Sequence, residues 1–271
     1  LKSAYKKVVR IYLQKGATVM AGEAGSRSGK YLYAIVADSR DRKFGEIGID
    51  DTIVCSLSNG QVAAVVSDLT NKKIRPERRH LAAHQRVIKH LMSYYTPLPI
   101  AFGVIADSHK EIIKILSDYE DTFVEQLGRV ANTVEMGLRV TWDVPNIFEY
   151  FVTTQHELRM VRDQFFGTYH EPSQEDKMLI GRLFEQLLNK ERDLHSERVE
   201  EMLMPHCLEI KRNPPKNEKE VMNLACLVER DAQEEFEAAI FEAARLFDNN
   251  FSFDYNGPWA PHNFVDINLT F

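Results

Sequence analysis

The chain has 271 residues, 44% of them hydrophobic and 27% charged, a balance that supports a sizeable buried core and excludes a wholly disordered polypeptide. Its net charge of −6 argues against nucleic acid as the main partner, because phosphate binding depends on concentrated Lys and Arg. Cys55, Cys207 and Cys226 are widely spaced, with no Cys-x-x-Cys pair and an odd count, so a reducing cytoplasm is expected rather than a disulfide framework. No apolar run approaches the roughly 18 residues of a spanning helix, and no signal-peptide pattern is present.

Two domains are expected at this length, preceded by a leader and linker over 1–29. Residues 1–30 hold seven lysines and arginines against Glu23 alone, a net of +6 that leaves −12 on the rest. Leu1, Tyr5, Val8, Val9, Tyr12 and Leu13 fall at helical spacing, so a short amphipathic helix is expected before a Gly- and Ser-rich linker. Gly25-Ser-Arg-Ser-Gly29-Lys30 imitates a phosphate-binding loop, but it is one residue short and followed by Tyr31. It also precedes a strand, whereas a phosphate loop follows one and opens a helix.

The N-terminal domain, 30–145, opens with the β-prone run Lys30–Val36, then a hairpin of Thr52–Leu57 and Val62–Ser67 around Ser58-Asn59-Gly60. Leu81, His84, Ile88, Leu91 and Tyr95 form one stripe of a helix over Arg75–Tyr95. Pro97 and Pro99 end it, and Ile100–Ile105 is expected as a short strand. Ser108-x-x-Glu111 caps a further helix carrying Ile112, Leu116, Tyr119, Phe123 and Leu127. Val134–Trp142 alternates with period two, a strand expected to complete a first sheet with helices on one face.

The C-terminal domain, 146–271, is expected to start with a helix capped by Asn146. A second helix from Ser173 to about Met204 forms an antiparallel hairpin with it between the sheets. Strands near His206–Arg212 and Val221–Glu229 follow, then a helix with Phe236, Ile240, Ala243 and Phe247 on one face. The last strand alternates from Phe251 to Tyr255, and Asn256-Gly257-Pro258 reads as a turn that presents Trp259. The fold class is therefore α+β, two α/β-sandwich domains joined by a long helical hairpin.

Chemistry is sparse. His80 and His84 have the i, i+4 spacing that puts two imidazoles on one helical face, but the glutamate of the zinc-protease motif and a third ligand are missing. A packed His84 beside an exposed His80 is the expected arrangement, and no metal or cofactor is assigned. Asp248–Asp254 lacks the Gly and Glu of a calcium loop. The acidic run Glu229, Asp231, Glu234, Glu235, Glu237 and Glu242 reads as a solvated helix face. No nucleophile elbow or dinucleotide fingerprint is present.

Three stretches taken together carry a resemblance: Tyr31-Leu-Tyr-Ala-Ile-Val36; His84-x-x-Val87 leading to Leu98-Pro-Ile-Ala-Phe-Gly103; and Tyr255-Asn-Gly-Pro-Trp-Ala-Pro-His-Asn-Phe-Val265. In this order the chain resembles the gas vesicle protein F and L family over about residues 30–271. It departs from the pattern at Ala101, where members often carry Arg. The resemblance implies two α+β domains, at least one with a ferredoxin-like tendency. It also implies a non-enzymatic assembly role: an accessory or minor structural protein associated with the gas vesicle, binding the shell protein GvpA and keeping it from aggregating. Phe102, Gly103, Tyr255 and Trp259 are the candidate partner-binding residues, with Gly257 and Pro258 as a structural turn. The competing reading is a metal-dependent or ligand-binding protein using His80 and His84.

Overall fold

The computed structural model describes residues 29–70, 73–166 and 173–267. The expected basic leader lies outside them, as do residues 167–172, between the helix expected after Asn146 and the one expected from Ser173. The described residues divide into two compact units, one within 29–135 and 258–267 and the other within 136–257.

The first sheet has the strand order β2-β3-β4-β1-β5, with β6 also pairing with β1. Its strands are β1 (Gly29–Val36), β2 (Lys43–Gly45), β3 (Val54–Asn59), β4 (Val62–Leu69), β5 (Leu98–Pro99) and β6 (Ile105–Ala106). The central pair β1 and β4 is antiparallel, with a register shift between Leu32 and Ala34. Every residue from Tyr31 to Val36 is buried, so both faces of β1 are covered. Helix α1 (Arg78–Leu91) adds Ala83, Val87 and Leu91 to a core with Tyr31, Tyr33 and Val65. Helices α2 (His109–Asp118) and α3 (Glu120–Arg129) contribute buried Ile112, Leu116 and Phe123 and pack against β3 and β4.

Ser108 caps α2 by accepting from the Glu111 N–H. The single helix expected there breaks at Tyr119. The strand expected over Ile100–Ile105 is instead a loop between β5 and β6. Its ends are held to β1, where the Ile100 N–H donates to the Tyr33 carbonyl at 2.9 Å and the Leu32 N–H to the Val104 carbonyl at 3.0 Å.

The second sheet has the order β10-β7-β9-β8, built from β7 (Thr133–Trp142), β8 (Glu209–Arg212), β9 (Glu220–Glu229) and β10 (Phe251–Trp259). Between β7 and β8 lie α4 (Ile147–Thr154), α5 (His156–Phe166) and α6 (Gln174–Leu203), and α7 (Gln233–Ala244) connects β9 to β10. This is a β-α-β-β-α-β run of the ferredoxin-like kind. The helical pair α5 and α6 packs together inside the second unit, as part of the crossover from β7 to β8. Asn146 caps α4, and Ser173 with Asp176 forms a capping box on α6.

Two further assignments differ from the sequence reading. Strand β7 joins the second sheet and the division falls inside it, not at 145/146. The turn expected at Asn256-Gly257-Pro258 is absent, because β10 runs on through Trp259 and the turn comes at His262–Phe264. An edge strand accommodates Pro258, whose missing N–H removes no bond from a ladder on its open side. Gly257 still has a positive φ of 139°. Asn256 lies over β7, where a side chain on Gly137 would meet its Oδ1 at 2.7 Å.

Candidate functional site

In the first unit, two of the stretches singled out in the sequence meet at one hydrogen-bonded cluster. The register of β1 turns Tyr31 towards α1, and the phase of α1 turns His84 back towards it. The Tyr31 hydroxyl lies 3.0 Å from His84 Nδ1 and accepts from the Gly103 N–H at 3.0 Å. The His84 ring also hydrogen-bonds the Ile100 carbonyl, which can only accept; a neutral ring has one N–H, so that N–H serves Ile100 and Nδ1 accepts from the Tyr31 hydroxyl. Burial, with the nearby His262 adding to it, lowers the His84 pKa to about 3, so the ring is neutral at pH 7.

The loop between β5 and β6 is thereby tied to the sheet and to α1 at both its ends. Phe102 packs its ring 6.0 Å from Tyr31 and 5.8 Å from His84, while Gly103 is exposed with φ 96°. Glycine suits that position because a side chain would be strained at such a φ. Beside Tyr31, the Tyr33 hydroxyl bonds Ser67 Oγ at 2.9 Å and accepts from the Ile49 N–H at 2.9 Å.

The chain end returns to this unit. The Asn263 N–H donates to Glu135 Oε2 at 2.7 Å and its Nδ2 to Oε1 at 2.6 Å, with Ala260 and Phe264 buried on either side. Trp259, just before this anchor, is 43% exposed and so stands out as a large apolar surface group. Tyr255 lies in the other unit, half-buried with its ring 6.4 Å from Phe236. Of the four candidate residues, the structure joins Phe102 and Gly103 in one cluster, places Trp259 in the same unit, and separates Tyr255 from that unit.

The two histidines do not act as a pair. His80 is buried, not exposed as expected; its Nδ1 is 3.0 Å from the Arg75 carbonyl, and its Nε2 is 3.3 Å from Asp50. Both nitrogens of His84 are already engaged by protein groups. Among the described residues, no three His, Cys, Asp or Glu side chains gather in a metal-binding group.

The sequence reading missed the role of Tyr31 as the link between the loop and His84. Its only signal was a hydroxyl-bearing residue inside a run buried on both faces, a position where a polar tip needs a partner.

The profile of the family described as "Gas vesicle synthesis protein GvpL/GvpF" matches residues 29–266. The chain belongs to the GvpL/GvpF family. A curated relative, gas vesicle protein F of Streptomyces sp. (strain CB03234), is 28% identical over 243 residues, covering 87% of this chain and 99% of the relative. Gas vesicle protein F of Dolichospermum flosaquae is 23% identical over 240 residues, 88% of this chain and 97% of the relative. The crystal structure of GvpF from Anabaena sp. PCC7120 superposes with a TM-score of 0.79 at 24% identity, covering 89% of this chain and 100% of that one. That of GvpF from Microcystis aeruginosa gives 0.75 at 21%, covering 88% and 99%. The α+β architecture is thus that of the solved GvpF chains. Membership places the protein in a gas vesicle role within a family of vesicle proteins, not of enzymes.

Proposed function

We propose that this protein is a cytoplasmic accessory or minor structural component of the gas vesicle that binds the shell protein GvpA, keeps it from aggregating, and assists nucleation and assembly. The observation that carries the reading is the family match across nearly the whole described chain, 29–266. A subunit that self-assembles into a shell exposes apolar surface before it is incorporated, and a chaperoning partner must offer complementary apolar groups. Exposed Trp259 and the loop bearing Phe102 and Gly103 supply such groups on the first unit, and Tyr255 on the second. The cluster of Tyr31 and His84 then serves to fix that loop in one shape before binding, which lowers the ordering cost of association. The test is retention of purified GvpA on the immobilised protein. Retention well above that on an unrelated acidic protein, and reduced by Trp259→Ala and Phe102→Ala, supports the reading. Retention no greater than on the control overturns it.

A further inference from the structure

The second unit contains a groove of about 310 Å³, formed by residues of α4, α6 and the segment entering β10. Aromatic rings line it. The His195 ring lies 5.1 Å from both Phe247 and Phe251, which are 4.9 Å from each other, and Tyr150 lines the same space. Glu191 and Asp248 bring two carboxylates to it. Glu191 accepts from Gln155 Nε2 at 3.1 Å and lies 3.5 Å from His195 Nε2; Asp248 accepts from the backbone N–H of Asn250 at 2.9 Å and from its Nδ2 at 3.0 Å.

No Lys or Arg lines the groove, and among the described residues none pairs with Glu191 or Asp248. Burial lowers the His195 pKa, against the pull of Glu191 and Asp248 and with the push of Arg198, so the imidazole is neutral at pH 7 and does not neutralise them. Burial raises the Tyr150 pKa, and Asp248 and Glu191 raise it further, so both carboxylates act on the same space.

We propose that this groove binds a single arginine side chain of a partner protein. A guanidinium is planar, so it stacks on an aromatic face while its edge donates to a carboxylate, and it loses less hydration than an ammonium on entering such a site. The volume is at the small end of ligand pockets, about 300 to 1,000 Å³, which suits one side chain. The inference does not rest on the gas vesicle role, since it concerns the chemistry of the guest and not which protein carries it.

The experiment is a ligand-observed NMR titration of the full chain with a capped pentapeptide bearing one central Arg between glycines. Parallel titrations use the same peptide with citrulline or Lys. The Arg peptide is expected to bind with a Kd of roughly millimolar order, as one side chain can supply. The citrulline and Lys peptides are expected to bind at least about tenfold more weakly, a loss of about 1.4 kcal/mol. Asp248→Asn, at an exposed position, and Glu191→Gln are each expected to weaken Arg binding severalfold without moving the thermal unfolding curve. Equal binding of the citrulline peptide, equal binding of the Lys peptide, or unchanged affinity in both variants overturns the proposal.

Discussion

Replacing Tyr31 by Phe keeps the ring that packs on Tyr33 and Phe102 and removes one oxygen. That oxygen serves two bonds of unequal weight. Gly103 is exposed, so its N–H recovers a bond to water. His84 is 2% exposed, and its Nδ1 is left an acceptor without a donor. A buried polar group stripped of its partner costs about 1–3 kcal/mol, which corresponds to roughly 2–10 °C in melting temperature for a domain of this size. The assay is thermal unfolding, combined with hydrogen exchange across Ile100–Val104, where loss of the tie should speed exchange before global unfolding. His84→Leu removes the imidazole that needs the bond, so the double variant Tyr31→Phe/His84→Leu should cost less than the sum of the singles. A Tyr31→Phe protein within about 0.3 kcal/mol of the wild type, or strictly additive variants, would refute the network.

The depressed His84 pKa makes stability depend on pH. The unfolded chain takes up the proton near the usual value of 6.5 and the folded one only near 3, so the stabilisation is complete above about pH 6.5 and lost as pH falls towards 3. The slope from this group is at most about 1.4 kcal/mol per pH unit; urea titrations between pH 7 and pH 4 should show it, and His84→Leu should flatten it. Gly257→Val should destabilise the second unit by about 1–3 kcal/mol, because φ 139° suits glycine alone; an unchanged melting curve would contradict that. Among the thiols, Cys207 should react first with iodoacetamide, since a hydrogen bond with Cys226 lowers its pKa, whereas burial raises that of Cys55. Mass spectrometry of peptides after brief labelling reads the order, and faster modification of Cys55 would count against it.

The parts of this fold legible in the sequence are those written locally. Ser108 and Asn146 were readable as caps because each side chain bonds a backbone N–H three residues on. The unbroken apolar run of β1 was readable because it is buried on both faces. The break at Tyr119 was not, since neither Gly nor Pro stands between Ser108 and Leu127 to mark it. Strand β2, three residues long, is too short to show a period. Alternation identified β7 as a strand but carries no information on which sheet it joins, which is settled by pairing with segments far along the chain. Asn256-Gly257-Pro258 misled for a related reason: its composition fits a turn, and only its place on an edge strand lets the chain stay extended. The site was legible as three separate stretches. The bond that unites two of them spans 53 positions, from Tyr31 to His84, and has no local signature.

The central claim, that the protein holds the shell subunit in a non-aggregating state, is tested most directly by diluting denatured GvpA into buffer with and without an equimolar amount of this chain and following light scattering. The account predicts that scattering is suppressed by the wild type and returns with Trp259→Ala/Phe102→Ala. Scattering that rises equally with and without the protein would contradict it.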